Sequence, residues 1–515
     1  MGPRIRALRV AIAVTSVASL TITAFTLGRV AAQSDARPSI PRAWHETALQ
    51  TLEVPAPNPA FTPKAVPVDY YYKIPVRPIY KSYPVYAPGR EPAGYFESLT
   101  QRDPEVIWDA DKIRPRLDTE ADWIRAGEIV FDAAIFYDGV ATAGDARNPA
   151  WYDKIQPPVA SDGTLPFTAY VVRKKGKVEL ANNACGFCHT RVLPRGLVVK
   201  GAQGNFPFDR AVGYSTRGRR LEEARTGFRV LFGAPWLKDR DPAARADTMT
   251  LEEIAGRFEA IPAGVAARHR ASADFPPAIP DLIGVRDRRY LDRTGLVRHR
   301  DIGDLMRYAA LNNELDFYSD FAGFNPAGTN FRDLPEPTDP DIGGRYSDEQ
   351  LFALARYLYS LRPPANPNQP DERTRQGEIV FRRERCGNCH TPPLYTNNKL
   401  LPADGFAPPA DHVAKYDATR TSVGTDPTLT LYTRRGTGYY KVPSLKGVWY
   451  RGPFEHNGSV ATLEDWFDAN RVRADYVPTG FRGYGVKTRA IKGHEFGLKL
   501  SAEDKAALIA FLKTL

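Results

Sequence analysis

The sequence predicts a mainly α-helical fold of two related halves. Two observations carry that prediction: a three-part internal repeat, and a five-residue cysteine motif that occurs once in each half and uses every cysteine of the chain. The 515 residues are 43% hydrophobic and 25% charged. That is enough chain for sizeable cores, and it excludes both a multi-span membrane protein and a disordered one. Four cysteines are too few for a disulfide scaffold at this length.

In chain order, Arg4, Arg6 and Arg9 precede an uncharged apolar run from Val10 to Leu27, and Val30-Ala31-Ala32 offers small residues at a cleavage site. Residues 1–32 therefore read as a secretory signal peptide, or as a leader retained as an anchor, and either places the body outside the cytoplasm. The leader carries four Arg and no acid, so its removal takes the formal charge from +10 to +6. No basic stripe interleaved with aromatics remains, which argues against a nucleic-acid partner. Residues 33–118 are read as a Pro/Tyr-rich extended arm, because ten prolines fall within 54–92 and oppose helix there.

The repeat begins at Arg125-x-Gly127-Glu128-Ile129-Val130-Phe131, matched by Arg375-x-Gly377-Glu378-Ile379-Val380-Phe381. Its second part runs from Pro280 through Leu282, Gly284, Val285 and Arg288 to Gly295 and Val297. The match, without a gap, runs from Pro443 through Leu445, Gly447, Val448 and Arg451 to Gly458 and Val460. The third part, Ser347 to Leu361, is matched by Ser501 to Leu515. It reads as a helix: a Ser cap, an early acid, then apolar residues at Leu354, Tyr357, Leu358 and Leu361. Pro363-Pro364 stops the first copy. The halves are thus 119–364 and 371–515. Phe131 stands 54 positions before Cys185, whereas Phe381 stands 5 before Cys386, so the first half carries a large insertion. Within it, Phe167–Val172 and Lys177–Leu180 flank a Lys-Lys-Gly turn and predict a small β-hairpin.

The cysteines fall as Cys185-Gly186-Phe187-Cys188-His189 and Cys386-Gly387-Asn388-Cys389-His390. C-x-x-C-H is the attachment motif of c-type haem: two thiols bond the porphyrin, and the adjacent His is the proximal iron ligand. A four-cysteine zinc site and a redox dithiol are the competing uses of paired C-x-x-C, but neither requires a His after each pair. Two covalent haems are therefore expected, each in a cytochrome c-like helical domain with an N-terminal and a C-terminal helix around the motif.

The two haems are not expected to be equivalent. Of three methionines the last is Met306, so the second half has no Met to serve as sixth ligand. His494 is the favoured partner for His390, ahead of His456 and His412. On the repeat register His494 matches Pro340 and His456 matches Arg293, so the first half lacks both. The haem on His189 then has an open sixth position, unless Met249, His269, His299 or Met306 fills it. Phe206, Phe208, Phe232 and Trp236 lie in the stretch that could cover its distal face.

The run Lys441-Val442-Pro443-Ser444-Leu445-Lys446-Gly447-Val448-Trp449, leading into Gly452-Pro453-Phe454-Glu455-His456-Asn457-Gly458-Ser459-Val460, together with two C-x-x-C-H motifs, resembles the bacterial di-haem cytochrome c peroxidase and MauG superfamily. The resemblance spans about 119–515 and implies a reactive haem in the first half and an electron-transfer haem in the second. Where those enzymes carry Trp-Asp-Gly, with its Trp between the haems, this chain has Arg293-Thr294-Gly295. The late Gly-His-Glu-Phe-Gly is similar to the rubber-oxygenase-like branch, which implies a bis-His second haem and a dioxygen-binding first. The expectation is a periplasmic or secreted di-haem oxidoreductase, taking peroxide or dioxygen and exchanging electrons with a small redox protein or another electron donor or acceptor. A non-catalytic di-haem electron carrier is the alternative.

Overall fold

Each half is closed by a pair of crossing helices. The computed structural model describes residues 38–268, 270–313, 315–328, 334–339 and 343–515; the leader, His269 and Pro340 lie outside them. The helices used below are α1 (Glu120–Asp132), α2 (Cys185–His189), α3 (Leu221–Phe232), α4 (Ile302–Asn312), α5 (Asp348–Ser360), α6 (Glu372–Arg383) and α7 (Ala502–Lys513). Helix occupies 35% of the chain and strand 11%, so helix predominates with small sheets beside it.

The framing helices start where short polar side chains satisfy free N–H groups. Thr119, Ser347 and Asp371 each form a capping box, with Asp122, Gln350 and Thr374, and Ser501 accepts from the Asp504 amide. α1 then crosses α5, and α6 crosses α7, at the same repeat positions. A Cβ added to Gly127 would stand 2.0 Å from the Ala353 carbonyl oxygen, and one on Gly377 2.0 Å from that of Ala507. Only glycine lets two backbones approach so closely. Beside each crossing an aromatic pair recurs: Phe131 with Tyr357 at 5.3 Å between centroids, and Phe381 with Phe511 at 5.4 Å. The internal repeat is thus a repeat of packing as well as of sequence.

The predicted hairpin forms as β1 (Tyr170–Lys174) and β2 (Lys177–Asn182), paired antiparallel. It begins three residues later than the pattern suggests and belongs to a larger sheet. Ser82–Tyr83 adds to one edge and Phe136–Tyr137 to the other, which covers edges that would otherwise be left unpaired.

Residues 38–118 depart from a purely extended arm. Short helices occur at Glu46–Gln50, Val68–Lys73 and Tyr95–Thr100. The prolines oppose helix only where they interrupt it. Pro67 caps Val68–Lys73 and Pro75 follows its end, so the six residues of the helix are free to turn. The segment is tied to the rest of the unit Pro41–Leu515. Trp44 stacks on Tyr71 at 4.6 Å, and buried Arg270 holds Glu53 through two bonds of 2.9 and 3.0 Å.

Both halves lie within that unit and interlock through backbone and side chain. Ala278 N–H donates to the His456 carbonyl at 2.8 Å, Lys441 N–H to the Arg293 carbonyl at 3.1 Å, and Tyr450 O–H to Asp281 Oδ2 at 2.8 Å. No helix among the described residues is long and apolar enough to cross a membrane.

Candidate functional site

Each cysteine motif opens onto its own cavity. The first is lined by Cys185, Cys188 and His189. The second is lined by Cys386 and His390. Cys185 and Cys188 face one cavity and Cys386 the other, so the motifs do not converge on a four-cysteine site, and all four cysteines are unpaired. Burial pushes the Cys185 thiol up to about 12 and that of Cys386 to about 11, which works against a ready thiolate at either.

A backbone carbonyl meets the ring of the motif histidine in both halves. The Pro280 carbonyl stands 3.0 Å from His189 Nδ1. His390 Nδ1 meets the carbonyl of Tyr395 at 3.2 Å. A carbonyl only accepts, so Nδ1 carries the proton in each ring and Nε2 keeps its lone pair. That is the tautomer and orientation a metal-ligating imidazole needs. Burial, with Arg268 nearby, lowers His189 to about 4; burial, with His494 facing it, lowers His390 to about 4. Both rings are held neutral.

In the second cavity the His390 and His494 rings stand 6.1 Å apart, centroid to centroid. Imidazole nitrogens bind a first-row metal at about 2 Å, so one metal between two rings sets their centroids about 6 Å apart. His494 is placed from outside the ring. Its N–H donates to the Val423 carbonyl at 2.8 Å, and Gly493 packs so closely on Gly424 that a Cβ would stand 2.6 Å from backbone. Arg471, 1% exposed, donates to the carbonyls of Trp466, Ile491, Gly493 and His494. His494 Nδ1 is buried with no hydrogen-bond partner, and burial lowers the ring's pKa. His456 also lines this cavity, with its Nδ1 against the Glu455 carboxylate and its ring 4.6 Å from that of Tyr440. His412 bonds Tyr439 Oη at 3.0 Å and lines neither cavity.

The first cavity is different. Leu305, Tyr308, Ala309 and Asn312 supply one wall from a single face of α4, with Leu354 and Leu358 of α5 beside them. Among its described lining residues there is no second His and no Met. Met249 is buried in a separate core with Phe228, Phe232 and Phe258, and Met306 is buried on α4 away from the cavity. Both nitrogens of His299 are engaged, by the Arg288 carbonyl and by Tyr359 Oη, at 2.7 Å each.

The aromatic stretch considered for the distal face does not reach it. Phe206 and Phe208 pack on Phe187 of the cysteine motif at 4.6 and 5.6 Å, Phe232 joins the Met249 core, and Trp236 stacks on Phe61. The wall is built instead from α4, whose Tyr308 and Asn312 look from sequence like ordinary amphipathic-helix residues.

No family model matches the chain, and no curated protein matches it. Among solved structures, the chain is similar to a Kuenenia stuttgartiensis hydrazine synthase at 15% identity, covering 50% of this chain and 79% of that one, with a TM-score of 0.28. It is also similar to a MauG-like protein associated with microbial copper homeostasis at 22% identity, covering 33% of this chain and 56% of that one, with a TM-score of 0.21. Scores this low do not assign either fold to this chain.

Proposed function

We propose that this chain is an exported di-haem c-type oxidoreductase with two cytochrome c-like domains. Cys185, Cys188 and His189 hold the first haem, and Cys386, Cys389 and His390 hold the second, with His494 as its sixth ligand. Haem supplies one-electron chemistry and, where a coordination position is open, small-molecule binding. The observation that carries the reading is the contrast between the cavities: paired imidazoles across the second and, among the described residues, one imidazole with an α4 wall in the first. On this reading the second site passes electrons and the first meets peroxide or dioxygen. A small redox protein or other donor supplies or removes the electrons.

In this role the residues act as follows. The Pro280 and Tyr395 carbonyls fix the proximal tautomers, Arg471 holds the backbone of His494 across from His390, and Tyr308 and Asn312 add polar groups to the α4 wall of the first cavity.

Two measurements test this. The exported protein should contain two covalent haems per chain, and Cys386→Ala/Cys389→Ala should contain one. After reduction, carbon monoxide should bind at one haem in two. A reduced protein inert to carbon monoxide at both haems would overturn the reactive site and leave an electron carrier. A chain without covalent haem would overturn the reading altogether.

A further inference from the structure

Two cations line both cavities. Arg293 and Lys441 face the first and the second alike, while Arg288 faces only the first and Arg451, of these four, only the second. Arg293 Nε and Nη2 donate to the carbonyls of Ala278 and Ile279 at 3.0 and 3.1 Å, and Lys441 Nζ to that of Tyr290 at 3.1 Å. Arg288 likewise bonds the carbonyls of Asp281 and Ile283. Of these four cations, only Arg451 has a carboxylate in ion-pair range among the described residues, Asp281 at 4.0 Å, and its own Nε is buried without a hydrogen-bond partner.

Such a cluster lacks its counter-charge. Burial and the neighbouring Arg288, Arg293 and Arg451 drive Lys441 well below the usual lysine range; burial, with Arg451 and Arg288, takes Arg293 down to about 10. Buried charges are ordinarily paired, and unpaired ones cost several kcal/mol. The other acids on the cavity walls are committed: Asp292 pairs with Arg435, and Glu455 abuts His456. The missing anions must therefore come from what fills the cavities, and a porphyrin carries two carboxylates on its propionates.

We propose that Arg293 and Lys441 form a shared counter-ion bridge, pairing with a porphyrin carboxylate on each side and so coupling the charge states of the two haems. Arg288 serves the first haem alone and Arg451 the second alone. The inference rests on the two-haem reading above. Arg293 and Lys441 are positioning residues here, tuning potential without touching the iron. Adding an electron makes a haem more negative, so a nearby buried cation favours the reduced form, and its removal favours the oxidised form.

The test is spectroelectrochemical titration of the haem-loaded full chain, with each haem followed by its own low-temperature EPR signal. Arg293→Gln should lower both midpoint potentials, by on the order of tenfold in each reduction equilibrium, about 59 mV for one electron. Arg293→Lys, which keeps the charge, should restore most of the shift. Arg288→Gln should move only the first haem and Arg451→Gln only the second. Lys441→Gln carries the same expectation as Arg293→Gln and serves if that variant loads poorly. A shift at one haem only, no shift at either, or equal shifts in Arg293→Lys and Arg293→Gln would overturn the bridge. Haem content is measured first. Fewer than two haems in the unaltered protein overturns the two-haem reading, and the bridge with it, before any potential is read.

Discussion

Gly377→Ala should destabilise the second half by about 3 kcal/mol, the upper part of the range for overpacking a filled core. The new Cβ would stand 2.0 Å from the Ala507 carbonyl oxygen and 2.7 Å from the Phe511 Cβ. Both belong to α7, and a backbone carbonyl cannot swing aside as a side-chain tip can. The helices must separate, and the contact of Phe381 on Phe511 goes with them. Alanine is favoured over glycine in a helix interior by about 1 kcal/mol, so propensity opposes the clash without matching it. Gly227 in α3 isolates the propensity effect, because a Cβ there meets nothing within 4 Å. Gly227→Ala should therefore stabilise the protein, by about 0.5–1 kcal/mol. Urea unfolding of the two variants reads opposite signs from the same chemical change. A neutral Gly377→Ala would mean that the helix crossing is not the tight contact it is drawn to be.

Gly127 and Gly377 also show what was legible in the sequence. Their matching places in the repeat announced one helix crossing built twice, and the capping residues Ser347 and Ser501 marked where its second helices begin. The cysteine motifs located both cavities, and the lack of methionine pointed to His494. What escaped was arrangement across distance. The two-residue strands Ser82–Tyr83 and Phe136–Tyr137 carry no periodicity to detect, so the hairpin hid a four-stranded sheet. Arg288, Arg293, Lys441, Arg451 and Arg471 look like ordinary surface charge in a chain rich in arginine, since arginine is mostly exposed in proteins. The resemblance singled out Arg293 as standing where related enzymes carry Trp. Its place on the walls of both cavities is visible only in three dimensions. The aromatic stretch around Phe206 and Trp236 was open for the converse reason: composition shows what is apolar, and only packing shows which core receives it.

On the proposed two-haem reading, His494→Ala should convert the second haem from inert to reactive. In the unaltered chain the neutral rings of His390 and His494 flank the second cavity at 6.1 Å, the separation of two imidazoles on one metal. Removing one ring leaves the His390 side in place, since its Nδ1 bond to the Tyr395 carbonyl does not involve His494. The other side is left without a donor. His456 lines the same cavity, but its ring lies 4.6 Å from Tyr440 and its backbone carbonyl is bonded by Ala278 N–H. The second haem should change from low to high spin, and the reduced protein should bind two carbon monoxide molecules per chain in place of one. The second midpoint potential should rise, because an imidazole donor that favours the oxidised iron has gone. His456→Ala should leave that haem low-spin and closed to carbon monoxide. If His494→Ala stays low-spin and His456→Ala does not, the ligand is His456, and the loop clamped by Arg471 positions something other than the iron.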